Sequence, residues 1–513
     1  MATGLLLFSL MLLLIGSNDG PLRMTFPASD GYWFYMGGKA MMEGLTPYVE
    51  FADSKGPLLW VVYGIGYLLN PVSLKGMFWV EVAVYWWTFW LLYLCAKLIL
   101  TDGSRPSSAT AALAAMLMAI PYFYPGLHSE VRAEDFCQPF YALALYGMLK
   151  ILLPEAPRRI QKVGAGVRSQ KLRGAVYMGL ACGATTMIKY NIGVDILIPA
   201  GLIFILLMAR REFSPGIRLA GGWIAGFAVT VLPFLVWFAI SGNLGAFFRE
   251  YFLNTAGTVQ DPSFSETGDP SLWARWWFWL PRLALKFDGL GVLTKLSFLS
   301  VLLMPRRLWR QNGFGWITMI WFLLTVLIVT IVATGQYFFM LSIFWLPGIC
   351  RLLMLLRRID WSAAALSGGV ALAFIALMNT KWSSGEFHDV KTAGVIMDRY
   401  GVATEIIEGV RAERGRPLTY VNWGLLDFGL HVPTGMLPGA KYWAGQVGAT
   451  EEMQRDQIEE VERRKPDVVL VPEWHEEAFE ILPRLGYKAV YTYQARPDWA
   501  PHEAQYTLFV SNR

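Results

Sequence analysis

Between residues 28 and 60 the chain reads ASDGYWFYMGGKAMMEGLTPYVEFADSKGPLLW, which sets Asp30, Lys39, Asp53 and Lys55 in a loop between apolar segments. Ionisable residues held against a bilayer are costly, and where they persist they mark a site. Asp30 precedes an aromatic-rich stretch expected to lie along the interface as a helix. It either caps free N–H groups of that helix or serves as a general base that takes a proton from an acceptor hydroxyl. Lys55 stands in Asp53-Ser54-Lys55-Gly56-Pro57. It either snorkels toward lipid headgroups or holds a phosphate as a point charge, beside the free N–H groups of the helix that Pro57 starts. The residue pattern leaves both pairs of alternatives open.

Three further places carry charge against apolar sequence. His128-Ser129-Glu130-Val131-Arg132-Ala133-Glu134-Asp135 abuts an apolar run, where Glu134 and Asp135 could cap a helix and Arg132 pair with them. Lys189-Tyr190-Asn191 interrupts a long, nearly uncharged stretch, and a lysine there must end a hairpin or face a polar cavity. Arg249 lies among aromatics in Phe247-Phe248-Arg249-Glu250-Tyr251-Phe252. Taken together, several cations and carboxylates on one face suit an anionic lipid headgroup beside an acid/base group.

The elements that position these groups follow from composition. The 513 residues are 55% hydrophobic and 16% charged, against about 45–50% apolar and about 25% charged in ordinary soluble domains. Residues 380–513 hold 15 Lys/Arg and 20 Asp/Glu, whereas residues 1–379 hold only 29 and 19. A membrane domain over 1–379 and a water-soluble domain over 380–513 are therefore expected. No basic face with interleaved aromatics appears in the tail, so nucleic acid is not an expected partner. The four cysteines, Cys95, Cys137, Cys182 and Cys350, fall in apolar segments and imply no disulfide framework. The run 4–16 lacks a basic start and reads as a first transmembrane helix rather than a signal peptide.

Twelve apolar runs can be traced, near 4–16, 57–69, 76–98, 108–121, 136–153, 174–188, 192–208, 219–241, 289–304, 314–333, 336–350 and 362–378. Five basic loops, around Lys97/Arg105, 150–173, Arg210/Arg211/Arg218, Arg306/Arg307/Arg310 and Arg351/Arg357/Arg358, should share the cytoplasmic side. They do so only if 57–69 does not cross. At about 1.5 Å per residue that run reaches about 20 Å, short of a hydrocarbon core near 30 Å. The expected architecture is thus a polytopic α-helical membrane protein of about eleven crossings. Interfacial helices occupy its first outer loop, and a small α/β domain follows outside the cytoplasm. Asp30, Asp53, Lys55, the charged residues of 128–135, Lys189 and Arg249 then all fall on the outer face.

The order Asp30, aromatic helix, Gly44-Leu45-Thr46-Pro47-Tyr48, Phe51-Ala52-Asp53, Lys55-Gly56-Pro57 resembles the first outer loop of GT-C superfamily glycosyltransferases. The nearest likeness is to the group containing lipid A aminoarabinose transferase and the protein O-mannosyltransferases. Gly179-Leu180-Ala181 followed by Ile188-Lys189-Tyr190 resembles the family's lysine-bearing hairpin, and Gly335-Gln336-Tyr337 followed by Trp345-Leu346-Pro347 its late segment. The resemblance spans roughly residues 1–360 through short motifs. It implies an inverting transfer of a sugar from a polyprenyl-phosphate carrier to a glycan, lipid or protein hydroxyl. The setting is the outer, periplasmic face of the plasma (inner) membrane.

The resemblance makes Asp30 the base and Lys55, Lys189, Arg249 and Arg132 the cations around the carrier phosphate. Asp53, Glu134, Asp135 and Tyr337 support the site on the acceptor side. The family's Lys-Pro-Pro is Lys55-Gly56-Pro57 here, and Gln336 stands where a histidine is often found. No cofactor is required by anything visible. A divalent cation near Asp30 and Asp53 is compatible with the residues.

The tail predicts helix 389–414, a strand in 417–424, helix 448–464, a strand in PDVVLVPE, a helix in EEAFEILPRLG and strands in YKAVYTYQ and YTLFVS. It contains no phosphate-binding loop and no metal-ligand spacing. Two other readings stand beside it: a non-enzymatic flippase of lipid-linked sugars, which also needs buried cations for phosphates, and a polymerase using diphosphate carriers, which shares the chemistry. A transporter should place its charges near the midplane or show paired interrupted helices in two repeats, and neither is seen.

Overall fold

The computed structural model describes residues 1–17, 30–101, 108–122, 132–153, 163–254, 271–286, 288–332, 335–356, 390–423, 430–444, 451–495 and 504–512. The first ten α-helices among these residues are α1 (Ala2–Gly16), α2 (Asp30–Met42), α3 (Pro57–Leu69), α4 (Lys75–Leu100), α5 (Ser108–Leu117), α6 (Ala119–Tyr122), α7 (Gln138–Leu152), α8 (Val163–Ile188), α9 (Tyr190–Ala209) and α10 (Phe213–Ile240). Five helical stretches among the described residues are long and apolar enough to cross a membrane: Lys75–Leu100, Tyr190–Ala209, Phe213–Ile240, Phe314–Ile331 and Tyr337–Leu356. Ala2–Leu14, Pro57–Leu69, Ser108–Tyr122 and Leu290–Leu302 are apolar but shorter. The run 362–378 and the expected domain boundary at 380 lie outside the described residues, as do His128 and Glu130.

α10 turns Ile217, Ile224, Val229, Leu232 and Ile240 outward, which suits a helix whose outer face meets hydrocarbon. Its inner face approaches α8 closely. A Cβ on Gly179 would stand 2.0 Å from the Trp223 carbonyl oxygen, and one on Gly226 would stand 2.2 Å from that of Val176. Small residues four apart on both helices thus let the two backbones touch, the contact that drives association where water cannot.

Among the described residues of the C-terminal region five strands form one sheet in the order β2-β1-β3-β5-β4. The strands are β1 (Thr419–Asn422), β2 (Leu437–Pro438), β3 (Val468–Pro472), β4 (Tyr487–Ala495) and β5 (Ala504–Ser511). β1 runs parallel to β2 and β3, while β5 is antiparallel to β3 and β4. β3 is buried on both faces, as its unbroken apolar sequence requires. Val468 and Leu470 join the core continuous with the helical bundle, while Val469 and Val471 pack in a second core with Val461, Ala478 and Leu482. The second core is roofed by the helices Glu451–Arg464 and Glu476–Arg484. At the sheet's end Asp467 accepts hydrogen bonds from Arg414, Arg416 and the Thr419 backbone and hydroxyl. Burial pushes its carboxyl up, but Arg416 and the Thr419 hydrogen bonds hold it below the ordinary range.

The sheet region is seated on α2. Lys39 of α2 donates to the Met436 carbonyl at 2.9 Å, and His431 Nε2 lies 3.0 Å from the Tyr32 carbonyl. Burial pushes the His431 imidazole down to about 3, so the ring is neutral and Nε2 donates that bond. Trp443 packs on Trp33.

Candidate functional site

The site begins at the first residue of α2. Asp30 is half-buried. Burial raises its carboxyl, opposed by Lys55, reinforced by Glu134 and opposed again by Arg132 and Lys189. Residues from three separate stretches of sequence therefore act on one carboxylate.

Lys55 is held by its neighbours' backbone geometry. The buried Tyr48 donates its hydroxyl to the Lys55 carbonyl at 2.8 Å and packs its ring against Trp60, Phe247 and Tyr251. The next residue, Gly56, donates its N–H to the Ile188 carbonyl at 2.9 Å, tying the loop to the end of α8. A Cβ on Gly56 would stand 2.0 Å from the Met187 carbonyl oxygen. The glycine in Lys55-Gly56-Pro57 is what allows that approach. The Lys55 ammonium lies 5.2 Å from the Phe34 ring centre and 3.9 Å from Asp53 Oδ1. Asp53 is buried, and its Oδ2 has no hydrogen-bond partner among the described residues.

Lys189 is the single extended residue between α8 and α9. Its ammonium pairs with Glu134 and lies 4.2 Å over the Tyr337 ring. Burial works against both charges, and the pairing outweighs it: Glu134 is held below its ordinary value and Lys189 above its own. Tyr337 also accepts a hydrogen bond from Asn191 Nδ2 at 3.1 Å. Beside Glu134, Asp135 accepts from the Arg132 backbone at 3.1 Å, from Tyr85 at 3.1 Å and from Gln138 at 3.2 Å. Asp135 therefore fixes the loop that carries Arg132 and Glu134.

Arg249 is placed differently from the other cations. It sits in a π-helix, Phe248–Asn254, with 64% of its side chain exposed, and pairs with Glu250 at 3.2 Å. Glu250 is the buried member: it accepts from Lys441 at 2.6 Å, Tyr442 at 2.9 Å and Asn254 at 2.7 Å. Sequence reasoning missed this latch, although Glu250 adjoins Arg249. It also missed Asp195, which is buried in α9 and accepts from Tyr141 at 2.8 Å, Trp321 at 3.1 Å and Thr325 at 2.7 Å. Among the described residues no group of three or more His, Cys, Asp and Glu side chains is gathered to hold a metal ion.

This arrangement was compared with known proteins. No family model matches the chain, and no curated protein matches it in sequence. In three dimensions it matches the lipid A aminoarabinose transferase ArnT from Cupriavidus metallidurans, solved with bound undecaprenyl phosphate. The TM-score is 0.56 at 16% identity, over 99% of this chain and 98% of that one. The chain has the GT-C fold. A second GT-C structure matches at a TM-score of 0.52 and 12% identity, over 98% of this chain and 75% of that one. It is the archaeal oligosaccharyltransferase AglB from Archaeoglobus fulgidus, in complex with an inhibitory peptide and a dolichol-phosphate. Both matches take in the C-terminal sheet of the present chain along with its helices, so the GT-C likeness extends beyond the residues that carried the motif resemblance.

Proposed function

We propose that this protein is a membrane glycosyltransferase that moves a sugar from a polyprenyl-phosphate carrier to a hydroxyl of a glycan, lipid or protein acceptor, with inversion. One observation carries the reading: in a chain with the GT-C fold, the loop of Lys55 is hydrogen-bonded through Gly56 to the end of α8, beside Lys189 and its partner Glu134. The structures it resembles hold undecaprenyl phosphate and dolichol-phosphate, and a cluster of cations suits a lipid-linked phosphate.

In this reading Asp30 removes the acceptor hydroxyl proton as the oxygen attacks the anomeric carbon. The bond from that carbon to the carrier phosphate breaks, and its electron pair leaves with the phosphate. Lys55, Lys189 and Arg132 stabilise the charge that develops there. Glu134 moderates Lys189 and, with Tyr337, keeps its ammonium in place. Arg249 lies at the rim, where it meets the carrier only as the phosphate enters. Eleven crossings, an outward-facing site and a separate domain from 380 onward complete the proposal. They are supported by the basic loops and by the seating of the sheet on α2.

Purified protein incubated with radiolabelled polyprenyl-phosphate sugars and a crude envelope acceptor fraction should transfer label, and Asp30→Asn should not. Transfer by Asp30→Asn at the wild-type rate would remove Asp30 as the base. Movement of headgroups across vesicles without transfer would replace the enzyme by a transporter. The steps above draw on no cofactor, so chelator-treated protein should transfer at the untreated rate. A rate restored by added Mg²⁺ or Mn²⁺ would instead assign a cation to Asp30 and Asp53.

A further inference from the structure

At the end of the bundle opposite Lys189, a cavity of about 650 Å³ opens between the start of α8, the end of α9 and the start of α10. Its rim carries Lys171, Arg210 and Arg218, with Ser169, Ser214 and one carboxylate, Glu212. The rim is therefore net cationic. Toward the membrane interior the cavity meets an apolar slot of about 230 Å³, and the two share Ile151, Ile203, Leu207 and Leu219 as walls. Gly201 also lines the slot, and a Cβ placed there would meet nothing within 4 Å. α9 has 20 residues, about 30 Å at 1.5 Å per residue, so the rim lies one hydrocarbon thickness from Lys189.

We propose that this cavity and slot bind an anionic diacyl phospholipid from the leaflet opposite the one Lys189 faces. The phosphate would sit among Lys171, Arg210 and Arg218, and one acyl chain would enter the slot along α9. The occupant is set by the two halves together. Free phosphate would leave the apolar slot empty, and a zwitterionic lipid would leave the cations without a net counter-charge. An anionic headgroup on a hydrocarbon chain satisfies both, and basic recesses between membrane helices recognise lipids by this chemistry. The lipid would wedge α8, α9 and α10 at the end remote from the site while Lys189 fixes α8 and α9 at the other.

The test uses the full chain in detergent, titrated with phosphatidylglycerol or phosphatidylcholine of the same acyl chains and read by native mass spectrometry. Wild type should retain phosphatidylglycerol selectively. The combined Lys171→Gln, Arg210→Gln and Arg218→Gln change should weaken that retention by at least about tenfold. Gly201→Leu, whose Cβ meets no protein atom within 4 Å, places a side chain at the slot wall and should weaken retention with the rim intact, with the melting temperature measured alongside as the control for folding. Should the triple variant misfold, Arg218→Gln alone serves for the rim. Equal retention of both lipids by wild type would overturn the proposal. So would undiminished binding in the rim and slot variants, or displacement of the lipid by inorganic phosphate alone. Displacement by undecaprenyl phosphate in preference to phosphatidylglycerol would reassign the cavity to the carrier and overturn the phospholipid.

Discussion

Lys189 and Glu134, 55 residues apart in sequence, form a buried ion pair that joins the break between α8 and α9 to the loop before α7. Removing one partner of such a pair leaves an uncompensated buried charge and costs about 3–5 kcal/mol. Lys189→Met should therefore lower the melting temperature sharply, and adding Glu134→Gln should restore much of the loss without restoring transfer. The pH sign follows from the two shifts. Glu134 is depressed below 4.5, so its contribution is present above that value and lost as pH falls through the folded pKa. Lys189 is raised above 10.5, so its contribution is present below that value and lost as pH rises through its folded pKa. Wild-type stability from this pair should be flat between the two, which denaturant titration across pH would check.

Asp30 should govern the acid limb of transfer. Because burial raises its carboxyl above 3.8, the rate should fall, on lowering pH, earlier than an ordinary carboxylate would make it. Lys55 lowers Asp30 and Glu134 raises it. Lys55→Met should then move the acid limb to higher pH and Glu134→Gln to lower pH, while Asp30→Asn costs about 10²–10⁴ in rate. A pH–rate profile that does not move in the Lys55 variant would separate the two residues.

Gly56 should tolerate no side chain. Gly56→Ala would drive a methyl into the Met187 carbonyl and toward the Tyr251 hydroxyl, an overpacking worth about 1–3 kcal/mol. It should weaken carrier binding more than it slows the bound reaction, because it displaces Lys55 from the end of α8 and leaves Asp30 in place. A rise in KM for the carrier at near-constant kcat is the expected signature.

Lys39 should make the seating of the sheet pH-dependent. Burial pushes its ammonium down to about 7 from 10.5, with Glu43 working against the shift and Arg411 adding to it. Between these values the unfolded chain binds the extra proton, so stability rises as pH is raised from about 7 toward 10.5 and is level outside that window. Protection of the C-terminal region against limited proteolysis should increase over that range, and Lys39→Met should flatten the dependence.

Glu250→Gln should loosen the contact between the π-helix and the sheet region. It replaces a buried carboxylate that accepts from Lys441 and Tyr442 by a neutral amide, leaving the Lys441 ammonium without its counter-charge. Faster hydrogen exchange at 248–254 and 440–444, with α8–α10 unchanged, is the expected result.

Much of the frame could be read from the sequence, for local reasons. The limits of α3, Pro57–Leu69, coincide with those expected because Pro57 fixes the first turn and the apolar run stops at Asn70. The strands and helices of the tail were legible from their alternation and charge. β2, two residues long, and the short helix His431–Thr434 were not, because neither carries a periodic pattern. The count of crossings rested partly on a run outside the described residues. At the site, residue type picked out Asp30, Lys55 and Lys189, but pairing did not follow from type. Nothing local tells Glu134 to meet Lys189, or Glu250 to meet Lys441 across 191 residues. Asp195 escaped notice because one carboxylate barely lowers the hydropathy of α9, whereas its three donors come from α7 and from the helix Phe314–Val332.

α2 carries Asp30 at its first residue, packs on α3 below and receives the sheet through Tyr32, Trp33 and Lys39. The C-terminal region is therefore the roof of the helix that bears the carboxylate. Exchanging that roof would alter the surroundings of Asp30 and, through Glu250, of Arg249, while Lys55, Arg132 and Lys189 stay on the helical part of the chain. The sequence of the C-terminal end can thus change while the helix bearing Asp30 keeps its frame.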